Sequence, residues 1–262
     1  DGIRDIGVTG VQTCARPILV YTASQFGAHS ATNQATNERW NARPSTPKGD
    51  TPARFNWISP IVISPHHGDI VYVGAQRLYR SFNQGRKYLP ISPDLTKNKP
   101  SGDVPYSTIK SVSESPLTFG LIYVGADDGR VTMTRDGGVQ WIDIPTPAPD
   151  KWVSRILASK YDEGTVYVAQ NGYREDDFAP YLYKSTDFGK TWTSIANGLP
   201  SDEPINVIIE DPTNKGTLFV GTDMGVFVSQ DGGNSWNALN GMPHLPVHDL
   251  AVQAREGELV AA

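Results

Sequence analysis

The sequence predicts an all-β fold, a β-propeller of four-stranded antiparallel blades that is incomplete: four full blades with a partial blade at each end. Two motifs carry that prediction, each recurring once per blade and always in the same phase. Composition agrees with them. The 25 glycines and 20 prolines punctuate the chain at short intervals, and Val, Ile, Tyr and Trp fill the stretches between. Branched and aromatic residues set between turn-formers are strand-and-hairpin chemistry, and no long helical periodicity interrupts them.

The first motif is an octet. "STDFGKTW" (Ser185 to Trp192) is rewritten as "SQDGGNSW" (Ser229 to Trp236), as "TRDGGVQW" (Thr134 to Trp141) and more loosely as "SFNQGRKY" (Ser81 to Tyr88). Its acid or amide falls at positions 83, 136, 187 and 231, separated by 53, 51 and 44 residues. An Asp carboxylate there can accept backbone N–H groups across a tight turn. The glycine supplies a positive φ, and the Trp buries its ring against a neighbouring layer. The octet therefore predicts the hairpin between a third and a fourth strand. Its builders are Ser81, Asn83 and Gly85; Thr134, Asp136, Gly138 and Trp141; Ser185, Asp187, Gly189 and Trp192; Ser229, Asp231, Gly233 and Trp236. With one aspartate per blade, Asp136, Asp187 and Asp231 read as structural, since glycoside hydrolysis needs acids that converge.

The second motif lies upstream of each octet: "SPHHGDIVYVGA", "SPLTFGLIYVGA", "SKYDEGTVYVAQ" and "DPTNKGTLFVGT" align without a gap. Pro65, Pro116, Lys160 and Pro212 each precede by seven residues an aromatic: Tyr72, Tyr123, Tyr167 and Phe219. In order, strand one is the apolar run before this turn ("IVIS", "INVIIE"), and strand two is the Tyr-Val-Gly segment. Strand three runs into the octet ("GVFVSQ"), and strand four begins at its Trp ("SWNALN"). The blades are expected at about 57–100, 106–147, 152–198 and 204–242, with a partial one at 246–262. Ahead of them, residues 19–56 hold the end of a preceding blade ("LVYTASQFGAH", "NERWNARP") and a linker.

Residues 1–18 stand apart, because "DGIRDIGVTGVQTCARPI" resembles the translation of a sequencing-library adapter, with Arg16 as the one departure. Such a segment is excluded from fold reasoning. The only cysteine, Cys14, goes with it, which leaves no thiol for a disulfide, a metal site or a nucleophile. The net charge of −5 is unchanged by the exclusion, since Asp1 and Asp5 offset Arg4 and Arg16. A mildly acidic chain without a Lys/Arg cluster argues against nucleic acid as a partner. No apolar run approaches the roughly 20 residues of a membrane helix. Neither metal nor other cofactor is expected.

The octet resembles the Asp-box, or BNR repeat, of sialidases, sortilin-type Vps10 domains and related propellers. The wider stretches "RFNWISPIVISPHHGDIVYVGAQRLYRSFNQG", "WVSRILASKYDEGTVYVAQNGYREDDFAPYLYKSTDFGKTW" and "VHDLAVQAREGELV" are similar to large bacterial sortilin N-terminal-like, glycosyl-hydrolase-like proteins. That resemblance implies a secreted or periplasmic chain whose remaining blades complete a larger propeller. It does not imply a reaction, because fold is not function.

In such a blade the loops after strand two share a face with the openings of strand one, and the octets lie on the other face. Polar residues interrupt the inner strands at Lys110, Ser154 with Arg155, Asn206, and His248 with Asp249. Of these Lys110, Arg155, Asn206 and His248 are ligand-binding candidates, joined by Tyr173 and Arg174 of the long insertion "NGYREDDFAP". Two functions follow. One is a binding or scaffold module of the sortilin/Vps10-like kind for a peptide, protein or glycan. The alternative is a glycoside hydrolase, sialidase-like or glucanase-like, whose acids lie in these loops or in missing blades; Asp128, Asp177, Asp223 and Asp249 are the candidates here, and two should converge, one with a raised pKa. No G-x-S-x-G, H-E-x-x-H or phosphate-cradling motif is present.

Overall fold

A computed structural model of the chain describes residues 18–46, 49–242 and 244–262. The adapter-like segment, Cys14 included, lies outside the described residues except for Ile18. Six antiparallel sheets follow one another along the chain. The first has three strands, β1 (Leu19–Ser24), β2 (Ala28–Asn33) and β3 (Arg39–Asn41). Four sheets of four strands come next. They are β4–β7 (Ile61–Ile63, Val71–Gly74, Leu78–Ser81, Leu89–Pro90) and β8–β11 (Ile109–Glu114, Ile122–Ala126, Val131–Thr134, Ile142–Asp143). Then come β12–β15 (Trp152–Ala158, Val166–Gly172, Asp177–Ser185, Thr193–Ser194) and β16–β19 (Ile205–Glu210, Leu218–Thr222, Val226–Ser229, Asn237–Ala238). The sixth sheet is the pair β20 (Leu250–Gln253) and β21 (Glu258–Ala261). In every four-stranded sheet the strands pair in sequence order. The first strands β8, β12, β16 and β20 touch one another in succession and so line the axis of a partial propeller. The outermost strand starts after the last residue of the octet, Tyr88 or a Trp, and spans only two residues in each full sheet.

The cores lie between the sheets. Successive side chains of a strand point to opposite faces, so each second strand feeds two cores. Tyr72 packs with Ile109 and Ile122 of the next sheet, whereas Val71 and Val73 pack with Tyr21 and Ala31 of the previous one. Tyr123 joins Val153 and Val168, and Tyr167 joins Ile205 and Val220. A strand buried on both faces reads as a continuous apolar run, which is why "IYVGA" shows no alternation. Gly125 within that run serves the packing directly: a Cβ there would overlap the Val153 side chain of the next sheet.

Each octet closes its turn with the same bonds. At Ser185 the hydroxyl donates to Asp187 Oδ1 at 2.7 Å and accepts from the Gly189 N–H at 2.8 Å; the Thr191 N–H donates to Asp187 Oδ1 at 2.9 Å. The octet also clamps one sheet to the one before it. The indole N–H groups of Trp141, Trp192 and Trp236 donate to the carbonyls of Ile91, Pro145 and Ile195, each just beyond the preceding sheet's last strand. Gly189, at φ 84, leaves room for Ile144 of that sheet, whose Cγ2 would stand 2.6 Å from an added Cβ. Tyr88 in the Trp position finds no partner for its buried hydroxyl among the described residues. The octet turns bond to the turns between strands one and two, as Phe188 N–H does to the Gly164 carbonyl at 2.8 Å. Both turn sets thus share one face.

Candidate functional site at the axial opening

The opposite face is built by an irregularity that recurs. β8, β12 and β16 each carry a bulge at one aligned position, leaving Lys110, Ser154 and Asn206 without a ladder partner. In the last sheet the N–H groups of His248 and Asp249 both bond to the Ala262 carbonyl at the corresponding place. A bulge re-aims side chains out of the pleat. These are the polar interruptions of the inner strands, and the bulge is what turns them toward the opening.

Arg155 shows how far they converge. Its guanidinium leaves the fourth sheet, passes the fifth and pairs with Asp249 in the sixth. The Arg155 Nε–H is buried with no acceptor among the described residues, and so is the indole N–H of Trp152. Over the Trp152 ring lie two further cations, Arg174 with Cζ 4.1 Å from the centroid and Lys110 with Nζ 5.2 Å from it. Burial, reinforced by Arg155 and Arg174, pushes the Lys110 ammonium down to about 8. Beside this group Asn171 Nδ2 donates to Asn206 Oδ1 at 3.1 Å, and Asn206 Nδ2 to Asp223 Oδ1 at 2.8 Å. His248 has an exposed side chain. Tyr173 and Phe178, both exposed, meet edge to face at 6.0 Å on the neighbouring hairpin.

The four candidate acids do not share a pocket partner. Asp249 is paired with Arg155. Asp177 accepts from Lys151 at 2.7 Å and from the Tyr181 hydroxyl at 2.6 Å, and the Lys151 bond leads in holding it down at about 2. Asp128 is fully buried and accepts the backbone N–H groups of Lys97 and Arg130 at 2.7 and 3.2 Å. Asp223 takes the Asn206 amide. Asp127, next to Asp128, is the carboxyl on this face that burial pushes upward, yet its oxygens accept from Thr108 N–H, Thr108 hydroxyl and Asn56 amide at 2.7, 2.7 and 2.8 Å. Among the described residues no three His, Cys, Asp or Glu side chains gather as a metal set. No helix there is long and apolar enough to cross a membrane.

Sequence reasoning had passed over Trp152 and Asn171. The trace of Trp152 was an aromatic opening the inner strand directly before its polar interruption. The insertion "NGYREDDFAP" also differs from a free loop: β13 runs on to Gly172 and β14 starts at Asp177, so most of it is a lengthened hairpin. The ion pair of Lys151 with Asp177 fixes its base.

No family model matches the chain. An oligoxyloglucan-reducing end-specific xyloglucanase of Emericella nidulans is 27% identical over 147 residues, 52% of this chain and 17% of that enzyme. A probable enzyme of the same description from Neosartorya fischeri is 36% identical over 67 residues, 24% of this chain and 8% of its own length. Among solved structures, an ancestral GH74 enzyme superposes with a TM-score of 0.64 at 19% identity, over 80% of this chain and 28% of that one. YCF48 from Cyanidioschyzon merolae superposes with a TM-score of 0.60 at 11% identity, over 91% and 74%. The chain is a β-propeller of the Asp-box type. It resembles GH74 xyloglucanases and YCF48 in fold, and it spans less than a fifth of the sequence relatives it matches.

Proposed function

We propose that this chain is part of an extracytoplasmic glycoside hydrolase of the xyloglucanase kind, and that the face opposite the octets forms a wall of its saccharide-binding groove. The likeness to oligoxyloglucan-reducing end-specific xyloglucanases over half of the chain supports a glycoside hydrolase. The observation that carries the site is Arg155 reaching past a whole sheet to Asp249, which draws the openings of the inner strands around one mouth. Hydrolysis of a glycosidic bond needs two carboxyls, one protonated, roughly 5–9.5 Å apart. Asp177 is held ionised by Lys151, Asp249 is ion-paired with Arg155, and Asp127 has its oxygens occupied. The reading therefore assigns saccharide binding to this chain and completion of the acid pair to other blades of a longer protein.

Isothermal titration of the chain with neutral β-glucan and xyloglucan oligosaccharides, and with uronate-bearing ones, tests it. Binding of at least one member is expected, weakened in Arg155→Gln, with no reducing sugar released by the chain alone. A panel without a single binder sinks the reading. The engagement of all four candidate acids favours a second one, a non-catalytic module of the sortilin type for a peptide or protein; retention of a peptide pool by the Arg155-dependent face, with no saccharide bound, is its signature.

A further inference from the structure

Three cations meet at the opening: Arg155 and Arg174 crowd the Lys110 ammonium, and Asp127 and Asp249 are the acids that act on it most strongly. Neither acid bonds to Lys110 or Arg174. Asp127 is turned away, its oxygens taken up by Thr108 and Asn56. Asp249 serves Arg155. Lys110 and Arg174 have no hydrogen-bonded or ion-paired acceptor among the described residues and lean on the Trp152 ring instead. A ring face stabilises a cation less than a carboxylate does at close range. The buried Arg155 Nε–H lacks an acceptor as well, and leaving a buried donor unpaired is costly. Like charges pressed together at an accessible mouth, with donors to spare, are complementary to an anion.

We propose that Lys110, Arg155 and Arg174 form a subsite for the carboxylate of an acidic sugar residue, so that the saccharide recognised here carries a uronate. The saccharide part rests on the reading of the preceding subsection; the carboxylate part does not. Arg155 and Arg174 present planar N–H forks suited to the two carboxylate oxygens, and Lys110 adds a point charge. Exposed Tyr173 and Phe178 stand at the rim on the same hairpin as Arg174, where the rest of the saccharide would lie.

The test titrates the intact chain with a trigalacturonate, a neutral trisaccharide of equal length, a sulfated trisaccharide and acetate, at low and high salt. The expected result is uronate binding tighter than neutral by at least about tenfold, as charge-assisted bonds require, and weakening with salt. Arg174→Gln, on an exposed hairpin, and Lys110→Met should each remove most of that preference. Lys190→Gln on the octet face should leave it intact and controls for net charge. Equal affinity for neutral and acidic trisaccharides overturns the carboxylate subsite while leaving saccharide binding in place. Tighter binding of the sulfated sugar also overturns it, in favour of a sulfate ester. Acetate binding that depends on Lys110 and Arg174, with no trisaccharide bound, keeps the carboxylate site and removes the saccharide reading.

Discussion

At the scale of single residues, two of the octets hold their aspartates more tightly than the others, and the reason is one atom. In Asp187 and Asp231 the second carboxylate oxygen accepts a hydroxyl, from Thr191 at 2.7 Å and Ser235 at 2.6 Å. Lys87 and Gln140 stand at those places beside Asn83 and Asp136 and offer no such hydroxyl. Those hydroxyl bonds, followed by the backbone N–H groups of the turn, bring Asp187 and Asp231 down to about 2. Asp136 is also lowered, by backbone N–H of Gln140 first and the Thr134 hydroxyl second. A carboxylate whose folded pKa lies below its unfolded value of about 3.9 stabilises the fold above that value, and the contribution disappears as pH falls toward the folded pKa. The gap in melting temperature between the wild type and Asp187→Asn should therefore be constant above about pH 5 and close between about pH 4 and pH 2. Calorimetry across that range checks it. A gap that persists unchanged to pH 2 removes the ionic role of the octet.

At the scale of strands and sheets, most of the fold was legible because repetition exposes it: two motifs held in phase specify four strands per unit, and the octet marks the third turn. The site was legible only as polar residues breaking apolar runs. That Lys110, Ser154 and Asn206 stand on bulges depends on the register of a partner strand, which no local pattern encodes. Nor could sequence spacing reveal that Arg155 skips a sheet to find Asp249, since the pair is 94 residues apart. The glycine of the second strand was legible as a position but not as a purpose. Gly125 is where the next inner strand presses closest, against Val153, one residue from Trp152 and two from Arg155. Gly125→Ala should overpack that contact and cost about 1–3 kcal/mol in urea unfolding. Because the lost space is shared, Val153→Ala in the same chain should recover most of it, a coupling of the kind contacting residues show. Additive losses would mean that the sheets do not touch there.

At the scale of the whole molecule, the sheets form a row in which each core joins one sheet to the next, so stability is a sum of neighbour terms, as in repeat proteins. Interior sheets have a core on each face; Tyr123 and Ile122 of one strand serve different ones. The two outer sheets have one each. Among the described residues β1 pairs only with β2, and β21 only with β20, so both leave a ladder edge open. On β21 the edge is apolar as well as unpaired, with Val260 57% exposed. An open apolar edge is a template for another strand, and the short β20–β21 pair has little of its own to resist fraying. The chain by itself should therefore associate as its concentration rises, through β21 rather than through the octet face. Val260→Lys should shift the sedimentation profile toward the monomer at matched concentration and change the unfolding free energy by no more than about 0.5 kcal/mol, as exposed substitutions do. Hydrogen exchange should show the same asymmetry, fastest at β20 and β21 and slowest at β9 and β13, where both faces are covered. A chain that sediments as a monomer at every concentration, with β21 as protected as β13, contradicts the open edge and requires that another segment cover it.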